Sequence, residues 1–137
     1  MLDITNKKEV ILRLIKIADI GYVTVLFFTV SIAFANLLDY LFVMWFGKEN
    51  EKKSTMRILF ELLCQIIFTG IFSYLGRNII HFVSSPFNGL YGFDHFKVKE
   101  VNSGALLTML MVIFQNSLQE KIIYLRTKQN KEKKENK

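Results

Sequence analysis

The chain has few of the residues that build covalent or metal-bound sites. It contains one cysteine and one proline among 137 residues. A single cysteine excludes a disulfide within the chain and any metal site made of several cysteines, and Cys64 lies in an apolar run typical of a packing thiol. No glycine-rich phosphate loop is present, and neither histidine belongs to a recognisable nucleophile arrangement. We therefore expect no enzyme, no cofactor and no small-molecule substrate.

Apolar residues are abundant instead. The chain is 51% hydrophobic and 14% aromatic, with 13 phenylalanines, which is heavy for a soluble domain of this size. Residues 20–38 carry no charge and are long enough to cross a bilayer as one helix. In lipid every backbone N–H and C=O must be paired within the segment, which favours a helix. The sequence therefore predicts an integral membrane protein whose first partner is the lipid bilayer.

The N-terminal segment, residues 1–19, has the pattern of an amphipathic helix. Asn6 and Glu9 form a variant of the capping box, and Glu9, Arg13 and Lys16 share one face. Two placements remain open: this helix lies on the membrane surface, or it projects into water, with Gly21 as a hinge. A cleavable signal peptide is disfavoured because the apolar run continues to Phe46.

We predict an all-α fold, namely a three-helix transmembrane bundle with an N-terminal amphipathic helical extension. The third crossing is the least regular, since only residues 104–114 are fully apolar. The predicted segments are an amphipathic N-terminal segment (1–19), transmembrane helix 1 (20–46), a polar loop (47–56), transmembrane helix 2 (57–76), an aromatic turn-rich loop (77–94), transmembrane helix 3 (95–125) and a basic disordered tail (126–137).

Polar side chains interrupt the apolar helices at matching depths. Helical spacing places them on one face of each predicted helix, so the three faces are expected to meet. Arg57 stands one turn before Glu61 and is expected to pair with it. Such a cluster either fixes helix order and register or forms an ion or proton path, and a divalent cation held by Asp39, Glu61 and Glu120 is a further alternative. We favour the structural role. The predicted cluster consists of Asn36, Asp39, Glu61, Gln65, Gln115, Gln119 and Glu120.

The loop after the second helix combines turn residues with aromatic ones, which predicts a folded, apolar interaction surface. Asp94 beside His95 permits a metal or acid/base interpretation, but capping of the third helix by Asp94 is favoured. The predicted interaction residues are Pro86, Phe87, Asn88, Gly89, Tyr91, Gly92, Phe93, Asp94 and His95.

Lysine and arginine are unevenly divided between the two predicted sides of the membrane. Seven flank one side, and eleven lie in the first loop and from Lys121 onward. The positive-inside rule then places the first loop and the C-terminus in the cytosol. The basic tail is expected to be solvated, with anionic lipid or nucleic acid as the alternative partner.

Residues 86–104, PFNGLYGFDHFKVKEVNSG, together with LQEKIIYL at 118–125, resemble small hydrophobic membrane proteins of nucleocytoplasmic large DNA viruses. The abundance of Phe, Ile, Asn and Lys also fits an AT-rich genome. The resemblance covers the last third of the chain and carries no functional residues. It implies a virion or host membrane location, a structural or assembly role, and other membrane or capsid proteins or self-association as partners. The alternatives are a holin-like pore or small ion-conducting protein, and an accessory subunit of a membrane complex.

Overall fold

The computed structural model of the chain describes residues 2–98 and 104–135, with the side chains of residues 6–98 and 104–134. Four α-helices follow one another: α1 (Leu2–Phe46), α2 (Thr55–Phe82), α3 (Gly104–Phe114) and α4 (Asn116–Glu135). Two 3₁₀ turns, Leu90–Gly92 and His95–Lys97, lie after α2. No β-strand occurs in the described ranges, so the predicted all-helical class is confirmed.

Helix α1 joins the predicted segments 1–19 and 20–46 into one helix of 45 residues, about 67 Å long. The predicted hinge at Gly21 is absent. A glycine costs about 1 kcal/mol relative to alanine in a helix, which is too little to interrupt a long run of helix-compatible residues on both sides. The helix ends where Gly47 adopts φ +73° and donates its N–H to the carbonyl of Val43 at 2.9 Å.

Helix α2 extends beyond its predicted range of 57–76 at both ends. Arg77 and Asn78, which were expected to mark its far end, continue the helix to Phe82. Polar residues alone do not stop a helix, and Ile80 in this last part is buried in the core. The helix stops at Val83, which has an extended backbone.

The predicted third helix over 95–125 differs most from the structure. Residues His95–Lys97 form a 3₁₀ turn, and the Asp94 carboxylate caps that turn by accepting the N–H of Phe96 at 3.1 Å. Asp94 therefore does not cap α3, which is described only from Gly104. Residues 99–103 of the predicted helix lie outside the described residues.

Gln115 separates α3 from α4, where one continuous helix was expected. Helix α4 then continues to Glu135 through most of the segment predicted to be disordered, while residues 136 and 137 lie outside the described part. Good helix formers dominate α4, and buried Leu118 and Lys121 attach its first turns to the other helices.

Helices α1, α2 and α3 pack against one another in pairs, and α4 contacts both α1 and α2. Gly76 on α2 permits the closest approach: a Cβ there would lie 2.8 Å from Leu107 and 3.0 Å from Phe34. The buried apolar core contains Val23, Phe27, Leu38, Phe42, Ile80, Val98, Leu107 and Met111.

Among the described residues, two helices are long and apolar enough to cross a membrane: α1 from Asn6 and α2. Buried residues make up only 22% of the most apolar stretch of α1 and 28% of that of α2. A core helix of a soluble protein would be mostly covered, so most of this apolar surface has no cover within the chain.

Candidate functional site: a buried polar network

Helix α2 has the opposite polarity from an amphipathic helix of a soluble protein. Its buried positions between the two ends are polar or small: Glu61, Gln65, Thr69, Ser73 and Gly76. Most of its exposed positions are large and apolar, including Leu59, Phe60, Leu63, Ile66, Ile67, Ile71, Leu75 and Ile79. The polar side chains of α2 therefore find their partners inside the protein.

Glu61 places a carboxylate in this interior, with no exposed surface. Its carboxylate lies 2.9 Å from Lys53 Nζ, 3.3 Å from Arg57 Nε and 3.6 Å from Lys121 Nζ. Arg57 is exposed, whereas both lysine side chains are buried. Lys121 Nζ also lies 5.5 Å from the centre of the Phe42 ring, close enough for a cation–π contact. A buried carboxylate is costly unless it is paired, and three cations share this one.

Gln65, one turn further along α2, connects this helix to α4 and to the break before α4. Its Oε1 accepts from Lys121 Nζ at 3.1 Å, and its Nε2 donates to Gln115 Oε1 at 3.1 Å and to Ser117 Oγ at 2.8 Å. Gln115 in turn donates to the hydroxyl of Thr69 at 2.9 Å. Gln65 and Gln115 are fully buried, so these amide contacts satisfy groups that would otherwise lack partners.

Asp39 on α1 binds the break between α3 and α4. Its carboxylate accepts the backbone N–H of Asn116 at 2.6 Å, the N–H of Ser117 at 3.2 Å and the Ser117 hydroxyl at 2.8 Å. The first N–H groups of a helix lack partners within the helix, and a carboxylate there also interacts favourably with the helix dipole. Asp39 therefore acts as the cap of α4 although it belongs to a different helix.

The side chain of Gln119 binds a backbone carbonyl that has lost its helical donor at the same break. In an unbroken helix the carbonyl of Val112 would accept the N–H of Asn116, which here binds Asp39 instead. The side-chain amide of Gln119 donates to that carbonyl at 2.9 Å. The N–H of Asn116 and the carbonyl of Val112 thus both have partners.

A cleft of about 560 Å³ opens beside Asp39 between α1 and the start of α4. Asn36 and Glu120 are exposed along its walls and are not part of the buried interior. Within the described part of the chain, no group of three His, Cys, Asp or Glu side chains is placed to hold a metal ion. The trio Asp39, Glu61 and Glu120 therefore does not form the divalent-cation site that the sequence allowed.

A second buried polar contact lies at the opposite end of the helices. His95 Nδ1 is 2.8 Å from both carboxylate oxygens of Asp19 on α1, and both side chains are buried. The backbone N–H of His95 donates to Asn88 Oδ1 at 3.1 Å. The partner of His95 is thus a residue 76 positions away, and the neighbouring Asp94 caps the turn.

The loop around this contact is folded. Gly89 donates its N–H to the carbonyl of Phe93 at 2.8 Å, and Gly89 and Gly92 have φ values of +86° and +80°. These values favour glycine, because a side chain is strained there. Leu90, Tyr91 and Phe96 remain exposed, so the loop presents an apolar surface.

The sequence did not predict five residues of these networks: Asp19, Lys53, Thr69, Ser117 and Lys121. A signal for Lys121 existed: antiparallel helices that pair Gln65 with Gln115 also bring Glu61 close to residue 121. Asp19 carried no comparable signal, because its partner depends on how the loop folds.

Comparison of the chain with models of protein families, with curated proteins and with solved structures gives no match. The resemblance to viral membrane proteins therefore stays a prediction from the sequence.

Proposed function

We propose that this chain is a non-enzymatic, multi-pass integral membrane protein with a structural or assembly role, whose buried polar network fixes the order and register of its helices. The observation that carries the proposal is the inverted polarity of α2. A helix that buries Glu61 and Gln65 while exposing a wide apolar surface is stable where the surroundings are apolar.

The exposed polar groups of α1 support the same environment. The hydroxyls of Thr24 and Thr29 each donate to the carbonyl four residues earlier, at 2.8 and 2.9 Å. They leave mainly their methyl groups on the surface, as suits contact with hydrocarbon.

A third crossing is formed in this proposal by α3 and the first turns of α4. Residues 104–121 would span about 27 Å, close to the thickness of the hydrocarbon layer. The break at Gln115 is tolerable there because Asp39 accepts the N–H groups of Asn116 and Ser117 and Gln119 donates to the carbonyl of Val112.

The charge distribution orients the protein. The excess of Lys and Arg in the loop 47–54 and in α4 favours a cytosolic position for both. The loop around Leu90, Tyr91 and Phe96 then faces the opposite side, where its exposed apolar surface suits another membrane or capsid protein. A viral setting for these partners rests on the sequence resemblance alone.

An ion-conducting protein is the second candidate. The observation that favours it is the open cleft at Asp39, which Gln65 connects to buried Lys121 and Glu61. Against a continuous path, the polar line on α2 ends at Gly76, where Val30, Phe34 and Leu107 close around the helix.

The deciding experiment measures the membrane potential of cells that express the full chain, with a voltage-sensitive dye as the readout. The control is an inert three-helix membrane protein of equal abundance, and alkaline carbonate extraction verifies insertion. A stable potential with the inserted chain is expected. Depolarisation that Asp39→Asn or Glu61→Gln abolishes would refute the structural role in favour of conduction, and extraction by carbonate would refute the membrane placement itself.

A further inference from the structure

Six exposed residues of α1 follow the spacing of a coiled-coil seam. They succeed one another at intervals of four, three, four, three and four residues, so they occupy alternating d and a positions of a heptad pattern that begins at d. We call them the α1 seam: Val10, Leu14, Ile17, Gly21, Thr24 and Phe28, all exposed.

From Val10 to Thr24 the seam lies on the side of α1 that faces away from the other helices, whereas Phe28 at its C-terminal end contacts the Phe114 ring of α3, with the ring centroids 5.2 Å apart. Asp19 and Val23, on the opposite side, are buried against the loop and the core. At the N-terminal end of the seam, Val10, Leu14 and Ile17 are 53, 61 and 67% exposed. These side chains lie where α1 extends beyond the level of the Asp19–His95 contact.

The seam carries no charge along its length, and the e positions beside it are apolar as well: Ile11, Ala18 and Val25. A Cβ added at Gly21 would meet nothing within 4 Å, so open space lies over the centre of the seam. Another helix can approach the backbone closely there. Thr24 also offers its methyl group, because its hydroxyl is bonded to the carbonyl of Ile20.

We propose that the α1 seam pairs with the same seam of a second copy, forming a parallel dimer of this protein. Two copies inserted in one bilayer have the same orientation, so each seam residue meets its equivalent at the same depth. A heptad seam is self-complementary in that arrangement. This inference rests on the membrane placement proposed above and adds the partner.

A lipid surface is the other possible cover for Val10, Leu14 and Ile17. For the N-terminal turns to lie flat on a bilayer that the rest of α1 crosses, the helix must bend sharply near Gly21. The structure has one continuous helix from Leu2 to Phe46, which carries these residues away from the bilayer instead. Pairing with a second α1 covers them without a bend.

Disulfide cross-linking of the full chain in lipid vesicles tests the proposal. Cys64 is the only cysteine, so a Cys64→Ser background leaves each introduced thiol alone. The seam variants are Val10→Cys, Leu14→Cys and Ile17→Cys, and the matched controls on the same turns are Lys8→Cys and Glu9→Cys. We expect dimer formation under mild oxidation to be at least fivefold faster at the seam positions, and Leu14→Glu to slow cross-linking at Ile17→Cys by a similar factor.

Equal rates at seam and control positions would overturn the dimer. Seam thiols that resist both cross-linking and a water-soluble maleimide would also overturn it, in favour of the lipid surface. Carbonate extraction of the same vesicles separates the two proposals: an extracted chain contradicts the membrane placement, whereas an inserted chain without seam cross-links contradicts the dimer alone.

Discussion

Replacing Asp39 by alanine tests the cap that α1 provides for α4. The change removes the acceptor of the Asn116 N–H, the Ser117 N–H and the Ser117 hydroxyl in one step. We expect the amide protons of Asn116 and Ser117 to exchange faster with solvent, and the free energy of unfolding to fall.

The size of the loss follows from the number of donors. A buried donor left without an acceptor costs about 1–3 kcal/mol. The lower end applies to Asp39→Ala, because the adjoining cleft is open and water can replace the carboxylate. Three donors at about 1 kcal/mol each give a loss of about 3 kcal/mol, or about two orders of magnitude in the unfolding equilibrium.

Hydrogen exchange and denaturant unfolding in detergent micelles measure the two effects. Asn36→Ala is the matched control, since Asn36 is an exposed polar residue one turn earlier on the same wall of the cleft. Asp39→Asn keeps one acceptor oxygen and should lose about half as much stability. Unchanged exchange at Asn116 and Ser117 in Asp39→Ala would refute the capping role.

Three further predictions concern packing and charge, each measured as the free energy of unfolding in micelles. Gly76→Ala should destabilise by about 1–3 kcal/mol because its Cβ meets the neighbouring helices, whereas Gly70→Ala, with open space around it, should be neutral or slightly stabilising; equal effects would contradict the close approach. Glu61→Leu should lower the free energy of unfolding by about 3–5 kcal/mol, because it leaves two buried ammonium groups without a carboxylate. Lys121→Met should lower it by only about 1 kcal/mol, because the carboxylate of Glu61 keeps its other cations, and the reverse order would contradict the charge assignment. His95→Ala should lower the free energy of unfolding by about 3 kcal/mol and speed proteolysis of the loop, because it leaves the buried carboxylate of Asp19 without its partner. Wild-type stability of this variant would contradict the pairing.

The helical class and the two long apolar helices were predictable because both follow from local composition. Runs without charge fix a helix in lipid whatever the tertiary structure is. The break at Gln115 was not predictable in the same way. The local residues permit a continuous helix, and the break depends on a carboxylate from Asp39, which is 77 residues from the N–H it binds.

The candidate site was likewise predictable in part from the sequence. Helical spacing was enough to predict that Asp39, Gln65 and Gln115 approach one another, because each lies on the polar side of its own helix. Asn36 and Glu120 satisfy the same spacing yet line the cleft, since a shared face does not determine which side chains reach the centre.

The two buried networks fix the helices at opposite ends of the fold. Near the loop 47–54, α4 is held by Asp39 from α1 and by Glu61 from α2, so a misplaced α4 would leave Asp39 without its donors and Lys121 without its carboxylate. At the other end, the Asp19–His95 contact fixes the loop against α1. Between them the packing is mainly apolar, apart from the close approach at Gly76. Register is specified most strongly at the two ends, where a shift of one helical turn would leave buried charges without partners.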